Sequence, residues 1–127
     1  MLTISENQLR SISDLQTEAF IHFCVRFIKI EFQQWSMSKS NDELNQFIVK
    51  TIDLGKKFEI FSEENLLKLM IYKIRFNFDL VRSKLLSEVL SEQKKDEDTR
   101  IENFYLELLS QNYKLLPLFL TSTKIQN

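Results

Sequence analysis

One glycine and one proline in 127 residues leave this chain few means of turning sharply. Sheet-rich folds spend those two residues on tight turns. The abundant Leu, Lys, Glu, Gln and Ser instead favour helices joined by few loops. At this length one domain is expected. Apolar residue types make up 43%, enough for one core and hardly for two. The expected fold is therefore all-α: a single compact domain, residues 1–127, of about four to five helices in an orthogonal or irregular bundle. Residues 112–127 are read as a C-terminal tail.

Local signals place the helices. Ser5-Glu6-Asn7-Gln8 has the form of a capping box, so the first helix is expected to start at Ser5. Leu9, Ile12, Gln16, Ala19, Phe20, Phe23, Phe27 and Ile30 then recur at helical steps, a mostly apolar face reaching about Phe32. Gln33 to Lys39 reads as a connection. Ser40-Asn41-Asp42-Glu43 is a second capping box, opening a helix with Leu44, Phe47, Ile48, Ile52 and Gly55 on its inner face. Gly55 is either a C-cap or a small residue that admits a close neighbour.

Phe58 to Phe61 forms a short apolar hinge, and Ser62 is an N-cap followed by Glu63 and Glu64. The third helix carries Leu66, Leu67, Leu69, Met70, Ile71 and Ile74 around much of its circumference, which makes it the central helix, paired with the first. The pattern resets near Asp79. Leu80, Val81, Leu85, Leu86, Val89 and Leu90 make a fourth amphipathic segment, and Gln93 to Arg100 is a charged break, its acidic run read as a solvated loop. Ile101, Phe104, Tyr105, Leu108 and Leu109 form a last helix, and Pro117 ends helical order.

Reactive equipment is scarce. His22 is the only histidine and Cys24 the only cysteine. Residues two apart on a helix do not face each other, so a core thiol and a boundary imidazole are expected rather than a catalytic couple. One Cys and one His do not make a zinc site, and a lone Gly55 makes no phosphate-cradling loop. The chain is read as a non-enzyme with no catalytic residues, no metal and no cofactor. Lys68, Lys73, Arg75, Arg82 and Lys84 give the middle a basic bias. They alternate with Leu69, Met70, Ile71, Ile74, Phe76 and Phe78, so they are read as cations flanking a buried stripe, and no nucleic-acid partner is expected. A net charge of −1 supplies no field to attract one. The run Leu115 to Leu120 is too short to cross a bilayer. Met1-Leu2-Thr3-Ile4 carries no basic leader, and a cytoplasmic location is expected.

What remains is interaction. Trp35 falls in a connection, Phe58 and Phe61 flank a turn, and Phe76 and Phe78 lie too close in sequence to share one helical face. Tyr113 follows the last helix. With Arg75, these form the candidate protein-binding set: Trp35, Phe58, Phe61, Arg75, Phe76, Phe78 and Tyr113. The partner is expected to be another protein; the alternative is a self-associating structural homodimer.

A spaced pattern adds to this reading. Ile4, Ser5 and Gln8 open it, and Phe32 ends the first helix. Ile52, Gly55, Phe58, Ile60, Ser62 and Glu63 form its middle, and Met70, Phe78 and Asp79 close it. From Leu2 to Leu109 this resembles small all-helical bacterial proteins encoded in type VI secretion gene clusters. Those proteins usually have Pro where Gln33 stands, Gly where Glu59 stands and Gly near Arg75. The resemblance implies a role beside a secreted effector or the secretion spike, as an immunity protein or an adaptor or chaperone. It also favours the close-packing reading of Gly55. It implies no catalytic residue.

If the third helix is central, Met70→Asp buries an uncompensated charge and unfolds the protein. An unchanged melting temperature would show that this helix lies at the surface.

Overall fold

The computed structural model describes the backbone of residues 2–113 and the side chains of residues 16–112. The described residues contain helices and no strand, so the all-α class holds. Among the described residues the helices number six rather than four to five: α1 (Leu2–Glu31), α2 (Gln33–Met37), α3 (Asn41–Lys57), α4 (Glu63–Phe76), α5 (Lys84–Leu90) and α6 (Glu97–Tyr113). The chain groups into two compact units, residues 1–54 and 55–127, with the boundary inside α3.

In the first unit, α1 begins at Leu2, so Ser5 does not start it. Leu2, Thr3 and Ile4 contain no helix breaker, and extending a formed helix is cheap. Phe32 leaves helical geometry (φ −130°, ψ 55°), which separates α1 from a short α2. The expected connection at Gln33–Met37 is therefore helical, and Trp35 sits on a helix. No Gly or Pro interrupts it. The Trp35 ring meets Phe47 of α3 edge-on at 4.9 Å, and the Lys39 ammonium lies 4.5 Å above it. The second capping box forms as read: Glu43 N–H donates to Ser40 Oγ at 3.1 Å, and Ser40 N–H donates to Glu43 Oε1 at 2.9 Å. Phe20, Cys24 and Ile28 of α1 and Leu44, Ile48 and Ile52 of α3 are buried.

The second unit opens at Gly55, which lies inside α3 and is not its cap. A Cβ there would overlap the Leu66 side chain and lie 2.9 Å from the Ile60 carbonyl oxygen. The helix closes three residues later. Ile60 N–H donates to Gly55 O at 2.7 Å and Glu59 N–H to Lys56 O at 3.1 Å, while Glu59 takes a left-handed φ of 59°. That is a Schellman closure with a glutamate at the position glycine usually fills. Ser62 then caps α4, its Oγ accepting from Asn65 N–H at 3.1 Å. Leu66, Leu69 and Met70 of α4 are buried, Met70 completely.

α5, expected to begin at Leu80, starts at Lys84, because Asp79 folds its carboxylate back onto the Val81 amide at 3.0 Å and holds a turn there. The charged break also proves shorter than read. Asp96 accepts from Thr99 N–H at 2.7 Å, and α6 runs from Glu97. Asp96-Glu97-Asp98 is thus a helix start rather than a solvated loop, and Arg100 is buried inside the first turns. Its Nη1 donates to Phe58 O at 2.6 Å and Leu90 O at 2.9 Å, and its Nη2 to Glu59 O at 3.2 Å. Glu97 accepts from the amides of Phe61 and Ser62, both at 3.1 Å, and from Asn65 Nδ2 at 2.8 Å. Ile101, Phe104 and Leu108 of α6 pack inward, and α6 contacts both α4 and α5.

Two predictions follow from this packing. Alanine normally outperforms glycine in a helix by about 1 kcal/mol. At Gly55 the overlap with Leu66 and Ile60 reverses that, so Gly55→Ala should cost about 1–3 kcal/mol in urea unfolding. A gain would show that Leu66 yields freely. The second concerns acid. Burial acts to raise the Glu97 carboxyl's pKa, but hydrogen bonds from Asn65, Phe61 and Ser62 outweigh it and hold the group below its ordinary value. A carboxyl depressed on folding stabilises above its unfolded pKa, about 4.3, and that contribution disappears as pH falls through the folded value. Urea midpoints should therefore drop below about pH 4, and Glu97→Gln should flatten the drop. An equally steep drop in the variant would remove Glu97 from the account.

Candidate protein-binding groove

The second unit narrows to a groove beyond the C-terminal end of α4. That helix stops because Asn77 turns left-handed (φ 48°, ψ 47°), its amide closing on Lys73 O at 2.9 Å. Asparagine enters this region more readily than most residues with a Cβ. The chain then doubles back toward α5. Phe78 is buried with its ring edge-on to Phe104 at 5.0 Å. Lys73 grips it twice, its ammonium donating to the Phe78 carbonyl oxygen and lying 4.9 Å over the ring.

The far wall is α6. Gln111 Nε2 donates to Ser83 Oγ at 3.0 Å and to Glu107 Oε2 at 3.1 Å, tying the end of α6 to the start of α5. Asn112 Nδ2 donates to Leu108 O at 2.8 Å. Between these walls lies an open groove of about 600 Å³. Phe76 is its half-buried apolar wall, the buried Phe78, Leu86 and Leu108 form its floor, and Asn77, Asp79, Arg82, Ser83, Gln111 and Asn112 its polar surround. That volume is ample for several side chains of a bound segment. Asp79 and Arg82 pair at 3.5 Å, but both are exposed, so the pair adds little to stability.

An aromatic cluster continues from the groove along α4 and α6. Phe76 meets Tyr105 at 6.2 Å, and Tyr105 stacks on Tyr72 at 5.0 Å. Burial, then the neighbouring Tyr105 and Glu102, push the Tyr72 hydroxyl above its ordinary pKa.

Of the seven residues singled out by sequence, the groove brings together Phe76 and Phe78, with Arg75 exposed on the same last turn of α4. Trp35 belongs to the first unit. Phe58 is half-buried and gives its carbonyl to Arg100. Phe61 is 63% exposed beside the Ser62 cap. The side chain of Tyr113, and all of Leu115 to Leu120, lie outside the described residues. His22 is exposed while Cys24 is buried. Among the described residues no group of three or more His, Cys, Asp and Glu could hold a metal ion, and no helix is long and apolar enough to cross a membrane.

The polar half of the groove escaped the sequence reading. Asn77, Asp79 and Ser83 are ordinary turn and cap residues, and that chemistry was the available signal. Gln111 and Asn112 carried none, since their placement depends on where α5 ends up. No family model matches the chain, no curated protein matches it, and no solved structure matches it.

Proposed function

We propose that this chain is a non-enzymatic protein-binding module which takes an apolar segment of a partner protein into the groove formed by the Asn77–Ser83 turn, α5 and the end of α6. The carrying observation is the groove itself: the half-buried Phe76 ring over a floor of the buried Phe78, Leu86 and Leu108, with polar groups around it, several of them bonded to its walls. Aromatic anchors within a polar rim are the usual composition of a protein interface.

The partner in this reading is a secreted effector or toxin, or a spike component, of a bacterial type VI secretion system. The chain acts on it in the cytoplasm as an immunity protein or as an adaptor or chaperone. The spaced sequence pattern motivates that reading, and two positions add support. Gly55 stands where a Cβ would overlap its neighbours, in keeping with the small residue of the pattern. Glu59 adopts a left-handed φ at the place where the resembling proteins carry glycine. Self-association is favoured by a separate observation on α1.

The test is coexpression with the product of the neighbouring gene, followed by calorimetric titration. A stoichiometric complex is expected. Phe76→Glu and Arg82→Glu should each weaken it by at least about tenfold, the loss of one anchor contact, with circular dichroism unchanged. Full-strength binding by both variants would remove the groove from the interface. A toxin as the neighbour points to immunity, and a spike component to an adaptor.

A further inference from the structure

The described part of the first helix has two apolar faces, and among the described residues only one is buried. Phe20, Cys24 and Ile28 are buried. Phe23 and Ile30 are 46% and 67% exposed, and Phe27 is half-buried. The Phe23 and Phe27 rings stack at 6.1 Å. With Arg26 and Glu31, these three residues line a shallow apolar hollow of about 240 Å³ on the outer side of α1.

The charges beside this stripe are arranged in a particular way. At about 100° per residue, Arg26 falls on one side of the Phe23–Phe27–Ile30 line and Glu31 on the other. Neither side chain makes a hydrogen bond or an ion pair among the described residues. In heptad terms Phe27 and Ile30 occupy a and d, Phe23 the preceding d, Arg26 the g position and Glu31 the following e. Two copies of α1 lying parallel about a two-fold axis place each g residue against the e residue five positions on in the other copy. Arg26 then meets Glu31 of the second copy, and symmetry makes that pair twice. An antiparallel arrangement sets like flanks together, Arg26 near Arg26 and Glu31 near Glu31. Charge at e and g selects orientation and partner in helical pairs, and here it selects the parallel one.

We propose that the Phe23–Phe27–Ile30 face of α1 is the interface of a parallel homodimer, its occupant a second copy of this chain. One cation and one anion on opposite flanks, five residues apart, are what a two-fold parallel pair requires. α1 supplies both, at Arg26 and Glu31.

Light scattering on the full chain over a wide concentration range tests this. A dimer mass is expected at high concentration. Ile30→Asp and Phe23→Asp should each give a monomer with unchanged helicity, since both positions are exposed. Arg26→Glu should weaken the dimer about tenfold by losing two pairs and adding repulsion, and Arg26→Glu with Glu31→Arg should restore it. Ile30→Cys should cross-link across the dimer on oxidation, because parallel packing sets the two d residues side by side, whereas the native chain, whose Cys24 is buried, should not. A monomer at every concentration overturns the proposal. So does a dimer indifferent to Ile30→Asp, a charge swap that fails to restore association, or an Ile30→Cys dimer that does not cross-link.

Discussion

The unit from Gly55 onward depends on the first turn of α6, where Glu97 and Arg100 sit three residues apart and each serves the end of another helix. Helix ends carry backbone groups that no helical bond satisfies. Arg100 takes the carbonyls of Phe58 and Glu59, just past the end of α3, and that of Leu90 at the end of α5. Glu97 takes the amides of Phe61 and Ser62 at the start of α4. Cation at C-termini and anion at an N-terminus is the sense the helix dipoles favour. Burying a guanidinium costs several kcal/mol. Three charge-assisted hydrogen bonds, each about 1.5–3 kcal/mol, return a similar amount. The net contribution to stability is therefore small, and the effect is on position: three helix ends are held at fixed places relative to α6.

That clasp lies at one end of α4, and the groove lies beyond the other. Between them Leu66, Leu69 and Met70 are buried, so α4 is held along its length. Phe78 against Phe104 is the last buried contact before the chain turns back. Beyond it the walls are joined by single side-chain bonds such as Gln111 to Ser83, part-buried and weaker than the core. Glu59 is a local exception to good backbone geometry. A non-glycine residue in the left-handed region costs about 1 kcal/mol, and the Arg100 bond to its carbonyl is one of the contacts that hold it there.

Several features were legible because their causes are local. The Ser40–Glu43 box, the Ser62 cap and the start of α4 follow from a few neighbouring residues, and all three form where the sequence places them. The apolar circumference of the third helix pointed to a buried position, which Met70 occupies. No single helical face accommodates both Phe76 and Phe78, and the helix ends between them. The misreadings share a different cause. Gln93 to Arg100 looks like a solvated run because charge is normally solvated, and only the carbonyls brought from elsewhere in the chain make Arg100 a buried residue. The Phe23–Ile30 stripe looked like part of one broad core face, yet the chain covers only Phe20, Cys24 and Ile28.

The amino-acid order by itself therefore determined that the described chain is helical, where α3 and α4 begin, and which helix in the second unit is buried. Helix nucleation, capping and periodicity act over three to four residues, and that information lies along the chain. Tertiary structure alone decided that a glutamate and an arginine on α6 would satisfy three other helix ends. It also decided that a groove would open beside Phe76 and that Phe23 and Ile30 of α1 would be exposed among the described residues. Each of those outcomes depends on groups distant in sequence meeting in space, and the spacing of residues along a helix carries no record of what it will meet.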